Sequence, residues 1–334
     1  YKDGMFILGD EEKDDEVFAL RPMTCPFQFT IYNTELHSYR DLPVRYNETS
    51  TLFRNESSGE MHGLTRVRQF TISEAHLICT PDQLANEFKD VVDLVHYVTS
   101  TLGLTDDLTY RFSRHDPANK EKFIDDEELW MTTEAILKDI LDSLHIKYTE
   151  AIGEAAFYGP KLDVQVKNVH GKEDTLITIQ IDRYLAERLD MTYIDADGSK
   201  KRPYIIHRTS IGCYERTLAT LIEKYAGAMP MWLAPEQARI LPISEKHHEV
   251  CGAIKATLAG AGMRVTLDDR SEKVGYKIRE AQLDKIPYML VVGDKEVEEG
   301  TVSVRKRGEG DLGSMTIDDF VALSLREIAE RVIF

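Results

Sequence analysis

Residues 54–76 carry charged and aromatic side chains at spacings that suit an anionic ligand bearing a flat ring. Arg54-Asn55-Glu56 is followed by a turn-rich stretch, Ser57-Ser58-Gly59-Glu60-Met61-His62-Gly63, and then by Leu64 through Phe70. This reads as two strands joined by a loop, and residues two apart on a strand share a face. Arg66, Arg68, Phe70, Ile72, Glu74 and His76 then share one face of the second strand, with Arg54 and Glu56 together on the first. A core strand would avoid two arginines on one face, and a solvated strand would avoid Phe70 and Ile72. Guanidinium groups bind phosphate or carboxylate through paired hydrogen bonds, and a phenyl ring can stack on a base. A surface strand with paired charges is the plainer alternative.

Three further sets stand out. His207-Arg208-Thr209-Ser210-Ile211-Gly212-Cys213-Tyr214-Glu215-Arg216 runs into a helix. Its Tyr214, Leu218, Leu221, Ile222 and Tyr225 recur at helical spacing and read as a buried face. Arg216 falls in the first turn, where the helix dipole disfavours a cation by ~0.5 kcal/mol. Either Glu215 pairs with it, or it meets an anion or a ring in a cleft. Cys25, His76 and His207 are residue types that zinc accepts. They are separated by 51 and 131 residues, however, and no local spacing marks them. A buried thiol and two hydrogen-bonded imidazoles explain them equally. The last set pairs Ala156-Phe157-Tyr158-Gly159-Pro160-Lys161 with a strand in which Ile177, Ile179 and Ile181 face the core. Thr178, Gln180 and Asp182 face the other way, toward solvent or a cleft.

The elements that must position these residues fall into two regions. Residues 1–235 show short alternating strands at 51–54, 64–72, 162–166, 176–182 and 204–207, with helices at 81–103 and 129–144. One-sided alternation favours an antiparallel sheet, so the expected fold is α+β, with helices flanking that sheet. A seam at 227–236 contains Pro230 and Pro235, which bar further helix. Residues 236–334 alternate strands (239–243, 264–267, Tyr288–Val292, 301–304) with helices (247–261, 273–283, 316–332). That alternation predicts a smaller α/β domain with a largely parallel sheet.

With 334 residues, 42% of them apolar, both regions can bury cores, so general disorder is excluded. No run of 18 apolar residues is present to span a membrane. Four widely spaced cysteines suggest a reducing compartment. The net charge of −17 argues against a nonspecific nucleic-acid coat. Residues 236–334 hold 15 basic and 18 acidic side chains, against 26 and 40 in the first 235, so the second region is the better polyanion binder. The opening Tyr1-Lys2-Asp3-Gly4-Met5 is neither a signal peptide nor an initiator product, so the sequence is expected to begin inside a longer protein.

Taken together, these segments resemble the threonyl-tRNA synthetase family of class II aminoacyl-tRNA synthetases. The resemblance is carried by Arg21-Pro22-Met23-Thr24-Cys25-Pro26, Ser38-Tyr39-Arg40-Asp41-Leu42-Pro43, Phe53 through Phe70 (class II motif 2), residues 153–161, and 207–235 (motif 3). It implies ATP-dependent activation of threonine to threonyl-adenylate, then transfer to tRNA(Thr), with magnesium accompanying ATP. By analogy, Arg54 holds the α-phosphate and the amino acid carboxylate, and Glu56 reads the adenine amino group. Phe70 stacks under adenine, Arg66 lies near the phosphates, and Arg216 lies above the ring or at the γ-phosphate. The family's zinc ligands fall on Cys25, His76 and His207, where zinc accepts the amino group and hydroxyl of threonine. Met23, Glu74, Tyr158, Lys161 and Gln180 match positions lining the amino acid pocket. Residues 236–334 resemble the family's anticodon-binding domain, which implies Arg279, Glu296 and Arg305 as base contacts.

The same resemblance implies a cytoplasmic homodimer. Glu74 stands where the family has an aspartate, Cys213 where a serine is common, and Phe27-Gln28 where Gly-His is common. These departures keep open a preference for another β-hydroxy amino acid, and a non-catalytic RNA-binding relative is a further alternative. Motif 1, which in the family usually precedes this segment, and the family's N-terminal editing domain are expected to be absent from this sequence. Serine differs from threonine by one methyl, worth only ~1–3 kcal/mol of discrimination. Mischarging with serine is therefore expected unless a separate trans-editing factor clears it.

Overall fold

The computed structural model describes residues 2–10 and 12–333, and Tyr1, Glu11 and Phe334 lie outside the described residues. The chain divides into one compact unit ending at Thr220 and another beginning at Leu221.

In the first unit β1 (Ile7–Leu8) and β2 (Phe18–Ala19) form a short antiparallel ladder, and α1 spans Cys25–Tyr32. There follow β3 (Val44–Phe53), β4 (Gln69–Cys79), α2 (Leu84–Thr101), β5 (Leu108–Arg114), α3 (Glu127–Ser143), β6 (Thr149–Ile152), β7 (Lys161–Lys167) and β8 (Glu173–Asp182). The short α4 (Tyr184–Arg188), the β9 (Tyr193–Ile194) and β10 (Lys200–Lys201) pair and β11 (Tyr204–Cys213) complete it, and α5 (Tyr214–Lys224) begins in it and runs past the boundary after Thr220. Among the described residues, seven strands make the main sheet in the order β3-β4-β11-β8-β7-β5-β6. Its pairs are antiparallel except β5 with β6.

Helices α2 and α3 cover one face of this sheet. Leu84, Phe88, Val91, Val92, Val95 and Thr99 recur at helical spacing as the buried stripe of α2. Asp126 caps α3 by accepting from the amide of Leu129 at 3.0 Å. Helix α1 lies over the opposite face, where Cys25, Phe29 and Tyr32 pack with Ile78 and Ile205. The antiparallel α+β architecture agrees with the sequence-based expectation.

Two expectations for this unit are corrected. The second strand of the motif 2 segment begins at Gln69, not Leu64. Residues 62–66 instead close a tight turn, with Thr65 N donating to His62 O and Gly63 at φ +48°. Arg66 and Arg68 therefore do not share strand parity with Phe70. Three of the residues read as the buried face of α5 are instead exposed: Tyr214, Leu218 and Ile222, at 40%, 47% and 42%. Leu221 is buried as expected, Thr217 is buried as well, and the Thr217 hydroxyl donates to Ile211 O at 2.6 Å.

The second unit contains β12 (Ala238–Pro242), α6 (His248–Gly260), β13 (Val265–Leu267), α7 (Val274–Leu283), β14 (Tyr288–Val292), α8 (Asp294–Glu299), β15 (Thr301–Lys306), β16 (Gly310–Thr316) and α9 (Ile317–Ala329). Ile240, Leu290, Val304, Ile254, Leu258 and Phe320 lie in its core. The strand order is β13-β12-β14-β15-β16. Only β13-β12-β14 is parallel, so the expected largely parallel sheet is mixed. A parallel return needs a crossover of about a dozen residues or more. The six residues of α8 are too few, and β15 must come back antiparallel.

Candidate active site

The sheet register assembles the first unit's candidate residues into one row. Tyr46 stands opposite His76, His76 opposite His207, His207 opposite Gln180, and Gln180 opposite Lys161. Directly opposed side chains in antiparallel strands start about 4.5–5.5 Å apart. The His76 and His207 rings accordingly meet edge-on at 4.6 Å. Helix α1 brings Cys25 over this row, and Phe29 sets its ring edge-on to both imidazoles, at 5.0 and 5.9 Å. Tyr158 stacks on His207 at 4.8 Å and donates its hydroxyl to Gln180 Oε1. Gly159 allows this: a Cβ there would lie 2.0 Å from Ile181 O, so only glycine lets the loop press against β8.

The ligand-capable atoms of Cys25, His76 and His207 lie within 4.8 Å of one another, and all three residues are buried. The outward nitrogens are held. His207 Nε2 donates to Asp182 Oδ2 at 2.9 Å, and His76 Nδ1 donates to Gln28 Oε1 at 2.7 Å. Both partners are oxygen acceptors, so the protons sit on those nitrogens. That leaves lone pairs on His207 Nδ1, 3.7 Å from Cys25 Sγ, and on His76 Nε2, which is buried without a hydrogen-bond partner. An orphaned buried polar atom costs about 1–3 kcal/mol. Burial, reinforced by His207 and Arg208, pushes His76 well below its ordinary value. Burial and then Glu74 push the Cys25 thiol well above its own. Two imidazoles and one sulfur, each imidazole oriented by an outer acceptor, fit a zinc centre with an open position.

Beside this cluster lies a cavity of about 370 Å³, lined by Arg54, Glu56, Arg66, Phe70, Glu74, Thr178, Gln180, His207, Cys213 and Arg216 among others. The guanidinium of Arg54 lies 5.0 Å from the centre of the buried Phe70 ring, and its Nε donates to Pro22 O at 3.3 Å. Arg66 reaches the cavity from the turn and pairs with Glu56 at 2.8 Å and Glu60 at 3.4 Å. Arg216 does not pair with Glu215. It donates to Thr65 O at 3.1 Å and Thr175 O at 2.9 Å, while Glu215 accepts the amide of Thr71. Glu74 accepts from the hydroxyl of Thr24 at 2.5 Å. Lys161 pairs with the fully buried Asp163 at 3.0 Å, and Met23 packs against the α1 cluster.

Sequence reasoning assigned no role to Gln28, Thr24 or Asp163, and left Asp182 facing solvent or a cleft. Signals for two of them existed. Gln28 lies three residues after Cys25 on a helix, hence on its face. Asp182 shares strand parity with Gln180.

In the second unit the three expected base contacts do not form one cluster with the nearby cavity. That cavity lies at the C-terminal ends of β12 and β13, lined by Ser244, Lys246, His248, Arg270, Lys273 and Lys277 among others. Arg279 is exposed on α7. Glu296 caps α8 by accepting from Gly293 N at 2.9 Å, and Arg305 pairs with Asp311 at 3.2 Å. The buried ammonium of Lys277 ties the carbonyls of Pro242 and Asp268 together at 3.3 and 2.9 Å.

Comparisons with known proteins match two successive segments of the chain. Residues 6–225 match the tRNA synthetase class II core domain (G, H, P, S and T), and residues 237–327 match an anticodon binding domain. The threonine--tRNA ligase of Clostridium perfringens is 66% identical over 331 residues, covering 99% of this chain and 52% of that protein. That of a Geobacillus species is 49% identical over 329 residues, covering 98% of this chain and 51% of its own length. The chain thus spans about half the length of the curated relatives it matches. The crystal structure titled as the RNA binding domain of threonyl-tRNA synthetase from Cryptosporidium parvum superposes with TM-score 0.89 at 34% identity, covering 98% of this chain and 80% of that one. A putative threonyl-tRNA synthetase from Aeropyrum pernix gives 0.81 at 28% identity, covering 99% and 77%. On its sheet register, its cavity and these matches, the chain belongs to the threonyl-tRNA synthetase family of class II aminoacyl-tRNA synthetases.

Proposed function

We propose that this chain activates L-threonine with ATP to give threonyl-adenylate and transfers the threonyl group to tRNA(Thr). The observation that carries this reading is the buried, partnerless Nε2 of His76 beside Cys25 and His207, at the edge of the arginine-lined cavity. Cys25, His76 and His207 would hold zinc, which when bound offers a Lewis-acidic position to the amino group and hydroxyl of threonine. A valine lacks that hydroxyl, and a site built for a hydroxyl rejects such an analogue by ~10⁴ or more.

The chain's own residues would do the rest by positioning and charge neutralisation. Arg54 would hold the amino acid carboxylate and the α-phosphate as the carboxylate oxygen attacks phosphorus and pyrophosphate leaves. Phe70, already under the Arg54 guanidinium, would carry the adenine ring, and Glu56 would accept from its amino group. Arg66, now paired with Glu56 and Glu60, would turn to the phosphates, and Arg216 would release its two carbonyls for the ring or the γ-phosphate. Magnesium bound with ATP would add positive charge at the phosphates. Met23, Glu74, Tyr158, Lys161 and Gln180 would shape the amino acid pocket.

Residues 1–235 would carry activation and 236–334 anticodon recognition, with Arg279, Glu296 and Arg305 as base contacts. Exposed Phe27 and Ile31 on α1, and exposed Phe18 on β2, support a homodimer, since a second copy would cover them. The four cysteines are unpaired, which supports a reducing, cytoplasmic setting. No helix among the described residues is long and apolar enough to cross a membrane.

ATP–pyrophosphate exchange tests the reading, run with threonine, serine and valine, before and after a strong chelator, alongside metal analysis. Threonine-dependent exchange that falls on zinc removal and returns with zinc is expected. Serine should exchange at more than about one hundredth of the threonine rate, because one methyl discriminates by only ~1–3 kcal/mol. Exchange unaffected by zinc removal would refute the zinc assignment.

A further inference from the structure

We infer that Thr24 is a positioning residue for amino acid selection, acting by holding the carboxylate of Glu74. This rests on the ligase reading above and deepens it.

Thr24 is fully buried and occupies the N-cap position of α1, where threonine ordinarily accepts a backbone N–H of the first turn. Its side chain makes no such bond. The hydroxyl is instead given to Glu74 Oε2 at 2.5 Å, in the length range of a hydroxyl donating to an ionised carboxylate. Glu74 lines the cavity, and stands on β4 two residues before His76, so the two share a face. Thr24 immediately precedes Cys25. The bond thus ties the start of α1 to β4 between two of the three metal-ligating candidates.

A glutamate has one more rotatable bond than an aspartate and would otherwise sweep through the pocket. With Oε2 pinned by Thr24, the carboxylate is fixed at the cavity wall, and on the ligase reading its other oxygen would accept the hydroxyl of the amino acid. Thr24 touches no substrate in this arrangement. It sets where the hydroxyl acceptor stands.

The test is Thr24→Val, which keeps shape and removes the donor, with Thr24→Ser as the conservative rescue. Pyrophosphate exchange is measured on the full, zinc-loaded chain with threonine and with valine, together with zinc content and the KM for ATP. A hydrogen bond to a charged group is worth a factor of about 10–100. Thr24→Val should lower kcat/KM for threonine by about that factor while leaving that for valine within about twofold, so the threonine:valine ratio collapses. Zinc content and the KM for ATP should be unchanged, and Thr24→Ser should restore the ratio. In the Glu74→Gln background, Thr24→Val should cost far less than in the parent. Equal losses for threonine and valine, or full additivity with Glu74→Gln, overturn the proposal while the parent stays active. A parent chain without threonine-dependent exchange overturns the ligase reading itself, and the proposal with it.

Discussion

Asp182→Asn is the most discriminating single change in the proposed zinc centre. The carboxylate of Asp182 is fully buried and accepts two bonds: His207 Nε2 at 2.9 Å on Oδ2, and Leu185 N at 2.9 Å on Oδ1. An amide has the same shape but one oxygen, so one of the two donors must face an NH₂. If the oxygen stays with Leu185, the imidazole of His207 moves its proton to Nδ1, the nitrogen 3.7 Å from Cys25 Sγ, and a ligand lone pair is lost. If it stays with His207, the first turn of α4 loses its acceptor, at about 1–3 kcal/mol. Outer-shell changes of this kind cost about 10–100-fold in metal affinity, or ~1.4–2.7 kcal/mol. The assay is competition for zinc against a chromogenic chelator, with circular dichroism confirming the fold and Cys25→Ser as the loss-of-site control. The expected dissociation constant rises about 10–100-fold. A variant that binds zinc within about twofold of the parent and also melts as the parent does refutes the argument, since one of the two bonds must be lost.

Two further outcomes follow from the packing. Gly159→Ala puts a Cβ 2.0 Å from Ile181 O, so the loop must withdraw and carry Tyr158 off His207. Thermal melting should fall, by ~1–3 kcal/mol as for other overpacked sites, and the KM for threonine should rise. An unchanged KM would show that Tyr158 does not depend on this close approach. In the second unit, Asp268 takes a bidentate bond from Arg270, at 2.8 and 2.6 Å, and that guanidinium holds the carboxyl below its ordinary 3.8. The unfolded chain therefore binds the proton first as pH falls. The stabilisation is complete above about 3.8 and is lost as pH drops through the lower folded value. Urea unfolding of the second unit between pH 5 and 2 should show this slope, and Asp268→Asn should flatten it.

The sequence by itself determined the strand and helix content and the families of residues involved. Alternation in 176–182 announced a half-buried antiparallel strand, and the spacing of Phe88, Val91, Val92 and Val95 an amphipathic helix, because these periods follow from backbone geometry alone. Motif resemblance then named Cys25, His76 and His207 across gaps of 51 and 131 residues, which no local period could have joined. Parity misled at Arg66 and Arg68, where Gly63 turns the chain before the strand starts, and helical spacing misled at α5, where Tyr214, Leu218 and Ile222 face outward. Strand β16, broken by Gly310 and Gly313, and the short, charged α8 carried too little apolar signal to be read. What tertiary structure alone decided was convergence. The register that aligns His76, His207, Gln180 and Lys161 is a property of strand pairing. The outer bonds from Gln28, Asp182 and Thr24 join residues distant in sequence. Such contacts depend on which strands become neighbours, and a linear pattern fixes each strand's faces without fixing its partners.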